Sequence, residues 1–168
     1  MEGAFIMDIT IRPAVSNDLE RIVYIENSCF PEKEAADYES LQERLAAFKK
    51  SFLVAEKEHK VIGFINGCVA KQKKITDELY HSTTLHDDTA PCQMVFSLAV
   101  HPSVQHQGIA SLLMEKFIEQ TKKRNKDSMA LTCKKQLIPF YEQFGYLCEG
   151  KSSSLHGDAC WYDMTMVL

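Results

Sequence analysis

Val95-Phe-Ser-Leu-Ala-Val-His101-Pro-Ser-Val-Gln-His-Gln-Gly108-Ile-Ala-Ser-Leu-Leu-Met-Glu-Lys-Phe-Ile118 reads as a strand, a polar turn and a helix in one uninterrupted run. Val95 to Val100 is apolar, partly β-branched and short, as a buried strand is, and from Ile109 the apolar positions Leu112, Leu113 and Phe117 recur at helical spacing. Between them lies Gln105-His-Gln-Gly108-Ile-Ala110. A turn holding Gly108, followed directly by a helix that begins Ile109-Ala110-Ser111, leaves the first backbone N–H groups of that helix unpaired and pointing outward. The residues there are small or uncharged. A phosphate can therefore approach the backbone and meet the positive end of the helix dipole, an interaction worth about 0.3–1 kcal/mol when exposed and about 2 when partly buried.

The rest of the chain sets the frame for this turn. With 168 residues, 45% of them hydrophobic and 25% charged, the composition is that of a single globular domain, 1–168, with enough apolar mass for a real core. A net charge of −4 argues against nucleic acid as a partner, since Lys71-Gln-Lys-Lys74 and Lys122-Lys-Arg-Asn-Lys126 are short solvated runs and no basic stripe accompanies them. The six cysteines (Cys29, Cys68, Cys92, Cys133, Cys148, Cys160) form no C-x-x-C pair, and no secretory signal is read ahead of them. Free thiols in a cytoplasmic protein are expected, with no metal site. The apolar runs are too short to span a bilayer, so no membrane association is expected.

In chain order, Met7 to Arg12 predicts a first strand, and Ser16 or Asn17 caps a helix whose buried stripe is Leu19, Ile22, Val23 and Ile25 to Glu26, ending near Cys29-Phe30-Pro31. Glu32 to Asp37 is a polar loop, and Tyr38 to Lys49 a second helix with Leu41, Leu45 and Phe48 on one face. Ser51 to Lys57 and Lys60 to Val69 follow as strands around a hairpin turn at Glu58-His59, with Gly63 and Gly67 marking a bulge or a close approach. Lys71 to Cys92 is long, polar and aperiodic, the profile of a substrate loop. After the central run come a strand, Ser128 to Cys133, and a helix, Gln136 to Phe144, ended by a left-handed Gly145. Two last strands, Tyr146 to Glu149 and Cys160 to Leu168, flank the turn Ser152 to Gly157. This order implies a mixed sheet with helices on its faces.

Leu98-Ala-Val-His-Pro followed by Gln105-His-Gln-Gly-Ile-Ala110 resembles the Q/R-x-x-G-x-G/A acyl-CoA loop of the GNAT superfamily of N-acyltransferases. Ile75 to His86, Leu98-Ala-Val-His101 and Ile138-Pro-Phe-Tyr-Glu-Gln-Phe-Gly-Tyr146 together resemble its arylalkylamine (serotonin-type) N-acetyltransferase branch. The fold implied is α/β (α+β), a mixed, mostly antiparallel sheet of about seven strands flanked by about four helices, with splayed central parallel strands. The activity implied is acetyl transfer from acetyl-CoA, as cosubstrate, to a small primary amine, an arylalkylamine or a polyamine ahead of a protein N-terminus or lysine. The amine attacks the thioester carbonyl directly in a ternary complex, in a monomer or homodimer. By the same resemblance, Leu98, Ala99 and Val100 meet the pantetheine, with the Leu98 N–H as oxyanion donor. Such a donor is worth about 2.7–4 kcal/mol. Gln105, His106, Gln107, Gly108, Ile109, Ala110 and Ser111 form the pyrophosphate loop, and Tyr141 is the acid that protonates the leaving thiolate.

One departure stands out. The branch places its catalytic histidines at the positions of Met94 and Phe96, and many other members of the superfamily carry a glutamate at the former. An alkylamine of pKa ~10.4 lies about 3.4 units from neutrality at pH 7, a cost of roughly 4.6 kcal/mol before attack. His101, Glu78 and His81 are the candidate replacements acting through water, while Glu26, Glu32 and Glu34 are acidic residues able to attract an amine at the mouth. An alkaline activity optimum is the matching expectation. Read without the family, Tyr141 is an amphipathic-helix residue with its ring in the core, His101 before Pro102 is structural, Cys133 is a small buried hydrophobe, and Trp161 with Tyr162 is sheet packing. The missing histidines also fit a non-catalytic acyl-CoA sensor.

Overall fold

A computed structural model describes residues 8–168. One sheet contains β1 (Thr10–Pro13), β2 (Phe52–Lys57), β3 (Lys60–Asn66) and β6 (Ser97–Val100), all antiparallel and in that spatial order. The second is built from β4 (Val69–Ala70), β5 (Cys92–Val95), β7 (Ser128–Cys133), β9 (Tyr162–Val167) and β8 (Leu147–Lys151), again in that order, with β5 and β7 parallel. The Met7 start expected for the first strand lies outside the described residues. The turn at Glu58-His59 has the paired positive φ angles, 51° and 62°, that a tight two-residue hairpin requires.

The single strand expected from Val95 to Val100 is in fact two. β5 ends with Val95 opposite Leu131 of β7, and β6 begins with Ser97 opposite Asn66 of β3. Phe96 sits at the break, its N–H donating to the Asn66 carbonyl at 2.8 Å. Beyond this kink the chain leaves β7 for the other sheet, so Thr132 and Cys133 pair only with β9 and a wedge opens between β6 and the end of β7. The strand expected from Lys60 to Val69 is interrupted for a related reason. A Cβ on Gly67 would lie 1.8 Å from the Met94 carbonyl oxygen, so the backbones meet where only glycine fits.

Helices fix the wedge from both sides. α1 (Leu19–Cys29) and α2 (Tyr38–Ala47) bury Leu19, Ile22, Ile25, Leu41 and Leu45 against Phe52, Val54 and Phe64. The alternate strand residues Leu53, Ala55 and Ile65 face the opposite way, onto Leu113, Met114 and Phe117 of α4 (Ile109–Lys123). The segment expected to be irregular from Lys71 to Cys92 holds a short α3 (Asp77–His81), tied down where Asp77 accepts the Leu155 N–H at 3.0 Å and the Ser154 hydroxyl. The helix expected over Gln136 to Phe144 is shorter, α5 (Ile138–Glu142) after a 3₁₀ turn, and Gly145 follows with φ +102°.

Candidate active site

The anion-binding turn predicted from sequence takes a definite shape. Gly108 caps α4 with φ +84° and His106 also lies in the left-handed region at +60°, so the loop curls its N–H groups inward ahead of the helix. No side chain caps α4, and its first turn holds no acidic residue. The Gln105 side chain donates to the Val100 carbonyl oxygen at 3.0 Å and pins the loop to the end of β6. A cavity of about 390 Å³ opens here, lined by Leu98, Val100, Gln105, His106, Gly108, Ile109, Ala110, Ser111 and Tyr141, with Phe140 and Leu137 on its wall. Two predicted members stand outside the lining. Ala99 packs on the opposite face of β6 with the α1–α2 core, and Gln107 is exposed at the tip of the turn.

β6 presents a free edge to the same opening. His101 donates its N–H to the Ile62 carbonyl at 2.8 Å, so by alternation Ala99 faces β3 while Leu98 and Val100 turn their N–H and C=O groups into the wedge. The Val100 carbonyl obeys this, accepting from Gln105 and from the Cys29 thiol at 3.1 Å.

A second cavity, about 300 Å³, lies on the other side of Leu98 and Tyr141. Leu98, Leu137 and Tyr141 line both, so the two spaces meet at these residues. Tyr141 is 8% exposed, its ring held edge-on to Phe140 and Tyr146, and its hydroxyl makes no hydrogen bond among the described residues. Burial pushes the phenol pKa up, and it stays protonated at neutral pH.

The second cavity also separates the candidate bases. His81 lines it, but Glu78 does not, and His101 is turned outward. There His101 accepts the Ser103 N–H, stacks on Tyr24 at 5.6 Å and has its pKa lowered by burial and by the charges of Arg21 and Lys60, so its role is to cap the turn after β6. Met94 is fully buried in the core beside Phe48 and Leu79, whereas Phe96 faces the cavity. Trp161 precedes β9 and lines the cavity instead of packing within the sheet. It donates its indole N–H to the His156 carbonyl at 2.7 Å.

Glu26, expected on the buried stripe of α1 and named as an acidic residue able to attract an amine at the mouth, was not among the candidate bases. It is 2% exposed, and its Oε1 accepts the Ala36 N–H at 3.1 Å and the Ser97 hydroxyl at 3.2 Å, which sets the carboxyl beside β6 one residue from Leu98. Its Oε2 has no hydrogen-bond partner among the described residues. Burial raises its pKa, against the opposing effects of the Ala36 N–H, the Arg44 charge and Ser97. The signal was available, since Glu26 is seven residues after Leu19 and four after Ile22 on the buried stripe of α1. Arg44 was missed in the same way, between Leu41 and Leu45 on α2.

The family model described as Acetyltransferase (GNAT) family matches residues 19–146. Over 108 residues, 64% of the chain, the sequence is 28% identical to serotonin N-acetyltransferase of Mesocricetus auratus, and it spans about half, 51%, of that protein's length. The fold is similar to that of Ard1 from Thermoplasma volcanium, with a TM-score of 0.75 at 19% identity over 96% of this chain and 98% of that one. It is similar also to Arabidopsis thaliana Naa50 in complex with the bisubstrate analogue CoA-Ac-MVNAL, with a TM-score of 0.74 at 15% identity over 96% and 99%. The kinked β5–β6 run, the left-handed turn and α4 all fall inside the matched residues, and on that ground the chain belongs to the GNAT acetyltransferase family.

Proposed function

We propose that the protein transfers the acetyl group of acetyl-CoA to a small primary amine by direct attack in a ternary complex. The observation that carries this reading is the meeting of two cavities at Leu98 and Tyr141, one bordered by the anion-binding turn and the other by a buried carboxylate. The turn fits a pyrophosphate: two left-handed residues, uncapped N–H groups at Ile109, Ala110 and Ser111, and no acidic side chain in the first helical turn. Bound there, acetyl-CoA supplies the thioester.

The chain's own residues then divide the work. The free-edge N–H of Leu98 donates to the carbonyl oxygen as it gains charge. Glu26 takes the proton of the amine as the N–C bond forms, filling the role left open at Met94 and Phe96, and burial raises its pKa, which strengthens the carboxylate as a proton acceptor. Tyr141 gives its proton to the sulfur as the C–S bond breaks, and both protons re-equilibrate with solvent. Six free cysteines support a reducing, cytoplasmic setting. The test is a thiol-release assay with acetyl-CoA against a panel of aromatic amines, amino acids, spermidine and a peptide amine. Amine-dependent thiol release with formation of the N-acetyl product is expected. CoA binding without release on any acceptor would make the protein a sensor.

A further inference from the structure

Most charged side chains lining the acceptor cavity are already committed. Lys33 pairs with Asp158, Glu34 pairs with Lys134, and Asp37 accepts the Ser40 N–H at the start of α2. Glu26 and Arg44 are different. They are 2% and 6% exposed, stand on the neighbouring helices α1 and α2, and are not joined by an ion pair. Arg44 lays its guanidinium over the Phe96 ring, 4.9 Å from the centroid, and donates one N–H to the Tyr80 carbonyl at 3.2 Å. A guanidinium has five N–H donors in a planar fork. The remainder of this fork has no acceptor among the described residues, on a side chain that lines the cavity.

A buried guanidinium and a buried carboxyl group that share a cavity without pairing are complementary to a ligand carrying both a carboxylate and an amino group. We propose that the acetyl acceptor is an amino acid, its amino group meeting Glu26 and its carboxylate meeting the Arg44 guanidinium. This rests on the acetyltransferase reading above. It also gives Phe96 a purpose, because the ring that stands where the resembling branch has a histidine is the platform on which Arg44 is stacked. Phe96 is itself fixed by Phe48 at 5.9 Å and Tyr80 at 5.0 Å, and Tyr80 by a 2.7 Å hydrogen bond to Thr132. A polyamine would set a second ammonium against Arg44, and a simple arylalkylamine would leave its fork unpaired. Phe30, Tyr80 and Trp161 wall the space for an apolar side chain.

Two measurements separate this proposal from the activity on which it rests. In turnover, phenylalanine is expected to exceed phenylalanine amide and phenethylamine in kcat/KM. Arg44→Met should lower the phenylalanine to phenethylamine ratio by roughly 30-fold or more, with Arg44→Lys restoring part of it. Calorimetry of N-acetylphenylalanine against N-acetylphenethylamine, with CoA present, reads the carboxylate contact without any chemistry. Tighter binding of the carboxylate ligand to the wild-type protein, lost in Arg44→Met, supports the carboxylate contact of Arg44, and if no acceptor then turns over, it is the acetyltransferase reading that fails and not the amino-acid site. Equal binding of the two ligands to the wild-type protein, or an amide or amine turned over as well as the acid, overturns it. The wild-type comparisons stand even if Arg44→Met fails to fold.

Discussion

In the proposed mechanism two side chains carry opposite protonic duties, and burial raises the pKa of both. For Tyr141 this keeps the phenol protonated, so Tyr141→Phe is expected to lower kcat by about 10²–10⁴ while CoA affinity, measured by calorimetry, is retained. For Glu26 the same effect costs stability. Its folded-state pKa lies above its unfolded value of about 4.3, so the folded state holds the proton more tightly, and stability present below that pH is lost as pH rises through the folded pKa. Glu26→Gln should therefore match the wild-type Tm at pH 4 and exceed it at pH 8, while kcat falls by about 10²–10⁴. A variant that loses stability and activity together at pH 8 would make Glu26 a structural residue. Tyr141 was legible because Pro139-Phe140-Tyr141 carried a family pattern, and Gly108 because only glycine sits easily at a left-handed helix start. Glu26 was read onto the buried stripe of α1 but given no chemical role, and Arg44, between Leu41 and Leu45, was not singled out, because helical spacing shows that a charge turns inward without showing what it then faces.

At the level of elements, local pattern and tertiary contact divide the credit. α1, α2 and α4 appear where periodicity places them, and the hairpin at Glu58-His59 where its turn belongs. The kink at Phe96 and the break at Gly67 are products of pairing between distant strands, and nothing local in Val95 to Val100 announces that the chain changes sheets there. α3 is ordered by Asp77 bonding across to Ser154 and Leu155, a contact 77 residues away in sequence for the former. Gly67→Ala would force the β3–β4 junction off the Met94 carbonyl, and a loss of about 1–3 kcal/mol is expected in urea denaturation. Gly108→Ala places a side chain on a left-handed backbone. It should cost about 1–2 kcal/mol and weaken CoA binding, with the pH profile of the remaining turnover unchanged.

For the whole molecule, the decisive feature is that β6 and β7 part. The separation leaves a free strand edge at Leu98, with the anion turn on one side and the Glu26–Arg44 cavity on the other, so donor and acceptor can approach from opposite faces. Cys133 lines the acceptor side, yet burial pushes its thiol pKa up to about 12, and a thiol held neutral is a poor nucleophile to carry the acetyl group. Direct transfer and transfer through an acyl-enzyme differ in a single kinetic experiment. Initial velocities with acetyl-CoA and phenylalanine varied together should give intersecting double-reciprocal lines, as a ternary complex requires. Parallel lines, with release of CoA before the acceptor is added, would contradict direct attack across Leu98.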